Sequence, residues 1–404
     1  MRNVIFIAPY PLETTYRFVK AVASLSRVRV LGVVAEVPRG PDADLFHDVV
    51  TVSDPMDARQ LTEAGHLLAR RHGDIHRIVG ILEPLQVPIA LMREALDVVG
   101  TRAAVADLFR DKGRMKDELR RHGLPCARHR MVADLQQARE FAAVAGYPVV
   151  IKPAAGMGCK STWRVTSDEE LVLAVAASHI SEQRPAIMEE FLVGNEYSLE
   201  TITIGGEPVF LSASRYLPTP LEVMENPWIQ WAVLHPRSIV GPEFDDARDL
   251  GVRAVKALGL ETGFTHMEWF RRRDGSLAIG EIAARPPGAQ IVSCNNYVHD
   301  ADLHRAWARA VVDDAFDGPW ERKYAVGAVF LRGMGAGRVR AIDGLAQAQQ
   351  HVVGLVVEAR LPTVGTISSD SYEGDGCIIV RHPDTDTVRR AINAILNHVR
   401  IRYA

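Results

Sequence analysis

Glu268 and Glu281 are the two residues whose type and spacing point most directly to chemistry. They stand in Phe264-Thr-His-Met-Glu-Trp-Phe270 and Leu277-Ala-Ile-Gly-Glu-Ile282, on either side of Arg273-Asp-Gly-Ser276. An Asp-Gly pair between alternating apolar runs is a strong hairpin signal. If Asp274 and Gly275 form a two-residue loop, Arg273 faces Ser276. Counting back then pairs Glu268 with Glu281, and His266 with Ala283. Cross-strand partners lie roughly 4.5–5.5 Å apart at Cβ, so the two carboxylates would repel. Phe264, Phe270, Leu277 and Ile279 surround them. An acid pair withdrawn from water needs a proton, a base or a cation. Mg²⁺, which takes carboxylates together with substrate phosphates, satisfies the arrangement. The competing reading is a solvated sheet face carrying two unrelated acids.

The chain around this pair has 404 residues, enough for two or three domains, and 47% are apolar. A net charge of −3 implies no basic face, so neither composition nor charge supports a nucleic-acid partner. Cys126, Cys159, Cys294 and Cys377 are scattered, which argues against a disulfide framework or a zinc cluster. No apolar run reaches the ~18 residues of a membrane span. The apolar start is interrupted by Glu13, Arg17 and Lys20, so a secretion signal is not expected and a cytoplasmic location is.

Four short apolar strands (3–8, 28–35, 49–52, 77–82) alternate with helices (14–25, 56–71, 87–98), the pattern of a doubly wound parallel sheet. The first turn, Ala8-Pro-Tyr-Pro-Leu-Glu-Thr-Thr15, lacks the glycines of a dinucleotide fingerprint, which argues against a nicotinamide dehydrogenase. One helix is expected over 102–122, others over 134–145 and 168–177, and strands at 149–151 and 163–166. From 186 to 282 the chain reads as strand-rich, with a hairpin at Gly205-Gly206. A helix at 301–312 follows, then strands near 325–331, 352–359 and 376–381 and a last helix over 384–400.

Lys152 closes the apolar run Pro148-Val-Val-Ile-Lys-Pro153, directly before the small-residue loop 154–162. Gly156 and Gly158 let backbone N–H groups approach phosphate oxygens. Cys159 separates Gly158 from Lys160, so the segment is not a Walker A loop. An ordinary hairpin with a snorkelling lysine is the competing reading. Further on, Ile187-Met-Glu-Glu-Phe-Leu-Val-Gly-Asn-Glu196 turns from apolar to acidic. Extended backbone there suits an adenine edge and Glu196 suits ribose hydroxyls. Glu189, Glu190 and Glu196 equally suit a solvated loop.

Taken in order, these segments resemble the ATP-grasp superfamily of carboxylate–amine ligases along residues 1–400. Arg110-Asp-Lys-Gly-Arg-Met-Lys116 resembles the first nucleotide-lysine segment, with Lys112 at the matching place. Tyr147-Pro-Val-Val-Ile-Lys-Pro153 resembles the second, with Lys152 on the phosphates. Glu189-Glu-Phe-Leu192 resembles the adenine hinge, the backbone of Glu190 and Leu192 meeting the base and the Glu189 side chain touching nucleotide. Glu196 matches the ribose acid, Glu268 and Glu281 the metal acids, and Arg285 the arginine that steadies an acyl phosphate. Many members carry Asn two residues after the second acid. Here that residue is Ala283, which leaves open whether one or two Mg²⁺ ions bind. The Arg285-Pro-Pro-Gly288 run is more similar to the L-amino acid ligase and formate-dependent phosphoribosylglycinamide transformylase branches than to biotin carboxylase.

The resemblance implies an α/β and α+β ATP-grasp fold. It has an N-terminal doubly wound domain (1–101), an ATP-grasp domain (102–312, with a lid at about 125–186) and a mixed C-terminal tail (313–404). It implies ATP and Mg²⁺ as cofactors, a small carboxylate and an amine as substrates, no membrane or nucleic-acid partner, and a homodimer as a common state. The expected reaction activates a carboxylate as an acyl phosphate and transfers it to an amine, with Arg285 and Lys152 as catalytic groups. The alternatives are carboxylation or formate activation, and a nucleotide-binding module without chemistry.

Other residues suggest less. His266, beside the Ala283 position, reads as a satisfied strand histidine or an assistant to the metal site. Arg271-Arg-Arg273 reads as a solvated basic corner. Glu13, Thr14, Thr15 and Glu83 follow strands whose carboxyl ends commonly face ligands. Trp228, Trp231 and Arg215 are candidates for lining an acceptor pocket, with packing as the alternative.

Overall fold

The computed structural model describes residues 1–156, 161–226 and 228–404. The first strands form a four-stranded, all-parallel sheet in the order Asp48–Thr51, Val28–Val34, Arg2–Ile7, Ile75–Val79. Helices Glu13–Ala23, Ala58–His72 and Gln86–Ala95 connect and cover it. The strand order reverses between Arg2–Ile7 and Ile75–Val79, and ligands bind open α/β sheets beyond such a reversal. Thr14, Arg17 and Glu83 follow those two strands and line the main cleft. The domain is fused to the rest through helix Leu303–Asp313, whose Trp307 packs edge-on against Phe18 at 5.0 Å.

A second, antiparallel sheet runs His129–Val132, Ala186–Glu190, Val149–Pro153, Trp163–Val165, with helices Leu135–Ala145 and Asp168–Ala177 packed on it. The third sheet has eight strands, all antiparallel. Its order is Leu277–Ala283, Gly263–Arg272, Gly194–Ile204, Glu207–Leu217, Trp231–His235, Ala325–Leu331, Gly376–His382, Val356–Arg360. The tail strands thus continue the sheet that carries the acid pair. Among the described residues no helix is long and apolar enough to cross a membrane.

Three local features differ from the sequence expectation. The helix expected over 102–122 is two helices, Ala103–Arg110 and Lys112–Arg121. Asp111 is extended between them, and its side chain accepts from the Arg114 N–H at 2.9 Å, as an N-cap does. Helices Asp245–Ala257 and Ile291–His299 lie where strands or no element were expected. The first buries Ala247, Leu250, Gly251, Ala254 and Val255, a helical stripe.

The third difference is in the hairpin. Glu268 does face Glu281, and His266 faces Ala283. However, Arg271 faces Leu277 and the Arg272 N–H donates to the Ser276 carbonyl, so Arg273, Asp274 and Gly275 form a three-residue loop. Gly275 takes φ +85°, the left-handed position such loops reserve for glycine. A register shift between Glu268 and Trp269 leaves Gly280 as an extra residue on the second strand. The bulge cancels the offset of the longer loop. The predicted pairing of the acids therefore holds, but not for the predicted reason.

Candidate active site

The broken helix, the lid sheet and the acid hairpin converge on a cleft of about 580 Å³. Lys112, Lys152, Gly156, Glu189, Glu190, Leu192, Glu196, Glu268, Glu281 and Arg285 all line it. Gly158 lies outside the described residues.

At the lysine-rich end of the cleft, three ammonium groups meet two carboxylates. Lys112 Nζ lies 2.9 Å from Glu281 Oε1 and donates to the Gly156 carbonyl at 2.9 Å. Lys152 Nζ lies 3.0 Å from Glu189 Oε2, and Lys116 Nζ lies 3.4 Å from Glu189 Oε1. Burial works against the charge on Glu281, but Lys112, Lys152 and Arg285 outweigh it and hold the pKa at about 2. Glu189 behaves alike: burial raises its pKa, and Lys116 and Lys152 bring it below the ordinary value.

Glu196 is driven the other way. Burial first, then the charges of Glu268 and Glu281, raise it well above a normal carboxylate despite Lys152. Two acids on one sheet face, with a third beside them whose carboxyl is pushed up by burial and by their charges, fit a divalent cation. Among the described residues no three His, Cys, Asp or Glu side chains converge as an all-protein cage. The set matches Mg²⁺, which takes one or two carboxylates and completes its shell with phosphate and water.

Glu268 is fixed from behind. The Tyr216 hydroxyl donates to its Oε1 at 3.3 Å, and His266 Nε2 lies 3.7 Å from the same oxygen. His266 Nδ1 is 3.0 Å from Oε1 of Glu200, which is fully buried. His266 is thus a link between two acids rather than an isolated strand residue. Burial disfavours its charged form, yet Glu200 and Glu268 raise its pKa from 6.5 to about 9. A base with a raised folded pKa adds stability that is complete below its unfolded value and lost as pH climbs through the folded one. His266→Gln is therefore expected to remove a component of the fall in melting temperature that runs from about pH 6.5 to about pH 9. Parallel melting curves for variant and wild type across that range would refute the link.

Another part of the cleft centres on Glu83, which is 4% exposed. Its Oε2 accepts from Arg285 Nε at 2.9 Å and Nη2 at 2.8 Å, and its Oε1 accepts from Arg110 Nη1 at 3.0 Å. Arg110 also donates to the carbonyls of Ala155 and Gly156, so one carboxylate ties the parallel domain to Arg285 and to the base of the glycine loop. Glu83→Ala would leave two largely buried arginines without their anion and is expected to cost about 3–5 kcal/mol. Denaturant unfolding checks this, and a loss below about 1 kcal/mol, the value of an exposed pair, would contradict it.

The remaining candidates divide. The Glu190 carboxylate is taken by the Arg128 backbone and guanidinium and by Arg272, which leaves only its backbone for a ligand. Arg271 and Arg272 do not form a solvated corner. Arg271 pairs with Asp246 at 2.6 Å, and Arg272 with Glu190 at 3.0 Å. Trp231 is buried against Phe330 and also borders the cleft, whereas Trp228 is exposed and does not line it. Arg215 donates to Asn195 outside the cleft. Sequence reasoning missed Lys116, Arg110, Glu200 and Tyr216. Lys116 carried one signal: it lies one helical turn from Lys112, on the same face.

Residues 117–295 match the family model of the ATP-grasp domain. The L-arginine-specific L-amino acid ligase of Bacillus subtilis is 25% identical over 224 residues, covering 54% of this chain and 53% of the relative. The carbamoyl phosphate synthase large chain of Clavibacter michiganensis subsp. michiganensis is 26% identical over 200 residues, 48% of this chain and 18% of the relative. The chain thus spans about half the length of the first relative and a fifth of the second. Among solved structures, the L-amino acid ligase from Bacillus licheniformis superposes with a TM-score of 0.81 at 18% identity, covering 100% of this chain and 99% of that one. N5-carboxyaminoimidazole ribonucleotide synthetase from Thermotoga maritima gives 0.72 at 17% identity, with 100% of both chains covered. Residues 117–295 are thus matched as an ATP-grasp domain, and the chain shares the fold of these solved structures from end to end.

Proposed function

We propose that the protein is an ADP-forming carbon–nitrogen ligase. It uses ATP to convert a small carboxylate, an amino acid being the best candidate, into an acyl phosphate and passes the acyl group to an amine. The observation that carries this reading is one cleft holding Lys112, Lys152, the cofacial pair Glu268 and Glu281, and Arg285.

Phosphoryl transfer is mainly positioning and charge neutralisation. Lys112 and Lys152 already rest on carboxylates, so ATP exchanges one set of anions for another and binds no unpaired ammonium. Lys112 would leave Glu281 for a phosphate oxygen. Glu268 and Glu281 would hold Mg²⁺, which neutralises charge building on the transferring phosphoryl group. Glu196 would accept from the ribose hydroxyls. The backbone at Glu190 and Leu192 would meet the adenine edge. Arg285, its fork oriented by Glu83, would steady the acyl phosphate bidentately. Residues 157–160 of the loop after Pro153, expected to close over the nucleotide, lie outside the described residues.

The test is a phosphate-release screen with ATP over single amino acids, amino-acid pairs, small amines, bicarbonate and formate, with product mass determined. The expected result is release that needs both a carboxylate and an amine, and a product mass equal to their sum less water. Release driven by bicarbonate or formate alone would move the protein to the carboxylating or formyl-activating branch. Nucleotide binding without release under any condition would leave only a binding module.

A further inference from the structure

Among the described residues Lys116 has the one fully buried ammonium at this site, with 0% of its side chain exposed. A charge so placed is costly unless its partners are fixed. Its shorter contact, 2.6 Å, is to the carbonyl of Gly280. Gly280 is the residue on which the geometry of the acid pair turns. Near the loop, Arg271 faces Leu277 and Trp269 faces Ile279. Carried on unchanged, that register would set Met267 against Glu281 and put Glu268 and Glu281 on opposite sheet faces, since a slip of one residue reverses every side chain. The extra residue at Gly280 restores the pairing. A Cβ there would lie 3.1 Å from the Phe270 ring, so the bulge is also sterically tuned.

The bulged strand is an edge strand, and the Lys112–Arg121 helix with its following turn supplies the partners a neighbouring strand would have given. The Ile279 N–H donates to the Pro125 carbonyl at 2.9 Å, and the Ile282 N–H to Met115 Sδ at 3.3 Å. Between them the Gly280 carbonyl accepts from Lys116. The same ammonium lies 3.4 Å from Glu189, whose other oxygen holds Lys152.

We propose that Lys116 is a positioning residue that pins the Gly280 bulge, and so keeps Glu281 on the face of Glu268 where a divalent cation is held, while setting Glu189 against Lys152. The proposal rests on the nucleotide-binding reading above and assigns no contact with substrate to Lys116.

The test titrates Mg²⁺ into wild type, Lys116→Met and Gly280→Ala in the presence of a nonhydrolysable ATP analogue, with analogue binding followed by calorimetry. Lys116→Met keeps length and loses the ammonium, whereas Gly280→Ala disturbs the same bulge and touches no charge. Both are expected to raise the Mg²⁺ concentration at half-maximal binding by about tenfold or more, as loss of a group that orients a metal ligand does. A purely structural lysine would lower the melting temperature and leave that midpoint in place. An unshifted midpoint in folded Lys116→Met overturns the proposal. If that variant does not fold, an unshifted midpoint in Gly280→Ala overturns it by the same readout. Wild-type protein that binds no analogue would sink the nucleotide reading itself and this inference with it, which distinguishes the two failures.

Discussion

Glu281→Gln is expected to lower ATP turnover by about a hundredfold to a thousandfold, the scale set by removing one preorganised charge-stabilising group from a transition state. The amide keeps the volume and strand position of the carboxylate, so the fold and the Gly280 bulge should persist. Two things change. Glu268 alone remains to hold the cation on the sheet face, and Lys112 loses the anion that it contacts at 2.9 Å. The neutral side chain also removes one of the charges that raise the Glu196 pKa, so that group moves toward the ordinary range. ADP release measured at saturating ATP, beside circular dichroism of the variant, checks both parts. Turnover within a few-fold of wild type would remove Glu281 from the mechanism, and an unfolded variant would show that the pair is structural.

Lys152→Ala is expected to weaken ATP binding by about 10–100-fold, the equivalent of a hydrogen bond to a charged group worth about 1.5–3 kcal/mol. Lys152 ends the strand Val149–Pro153 and directs its ammonium to Glu189 at 3.0 Å. Without it Glu189 keeps, among the described residues, Lys116 at 3.4 Å, and the cleft carries one positive charge fewer against incoming phosphates. Calorimetry with ATP, with and without Mg²⁺, measures the loss directly. An affinity equal to wild type would show that the second lysine does not touch nucleotide.

The parallel domain was legible because its strands alternate with amphipathic helices over short distances, and local periodicity suffices there. The acid pair was legible as a pair, but its cause was hidden. The loop is one residue longer than Asp274-Gly275 suggests, the Gly280 bulge corrects it, and an isolated glycine in a strand only hints at a bulge. Contacts between residues far apart in the chain left no local signal. Glu83 and Arg285 are separated by 202 positions, and Lys116 and Gly280 by 164, so neither link can be read from spacing. The break at Asp111 was missed although Asp is a common N-cap, because apolar periodicity runs through it on both sides. Helix Asp245–Ala257 was hidden by strand-like neighbours, although its buried stripe has helical spacing.

A crystal structure with Mg²⁺ and a nonhydrolysable ATP analogue tests the cation site most directly. The expected result is an ion about 2.0–2.1 Å from oxygens of both Glu268 and Glu281, shared with the phosphate tail. Lys112 should be drawn off Glu281 onto a phosphate oxygen. Phosphates bound elsewhere in the cleft, or the two carboxylates remote from any ion, would contradict it.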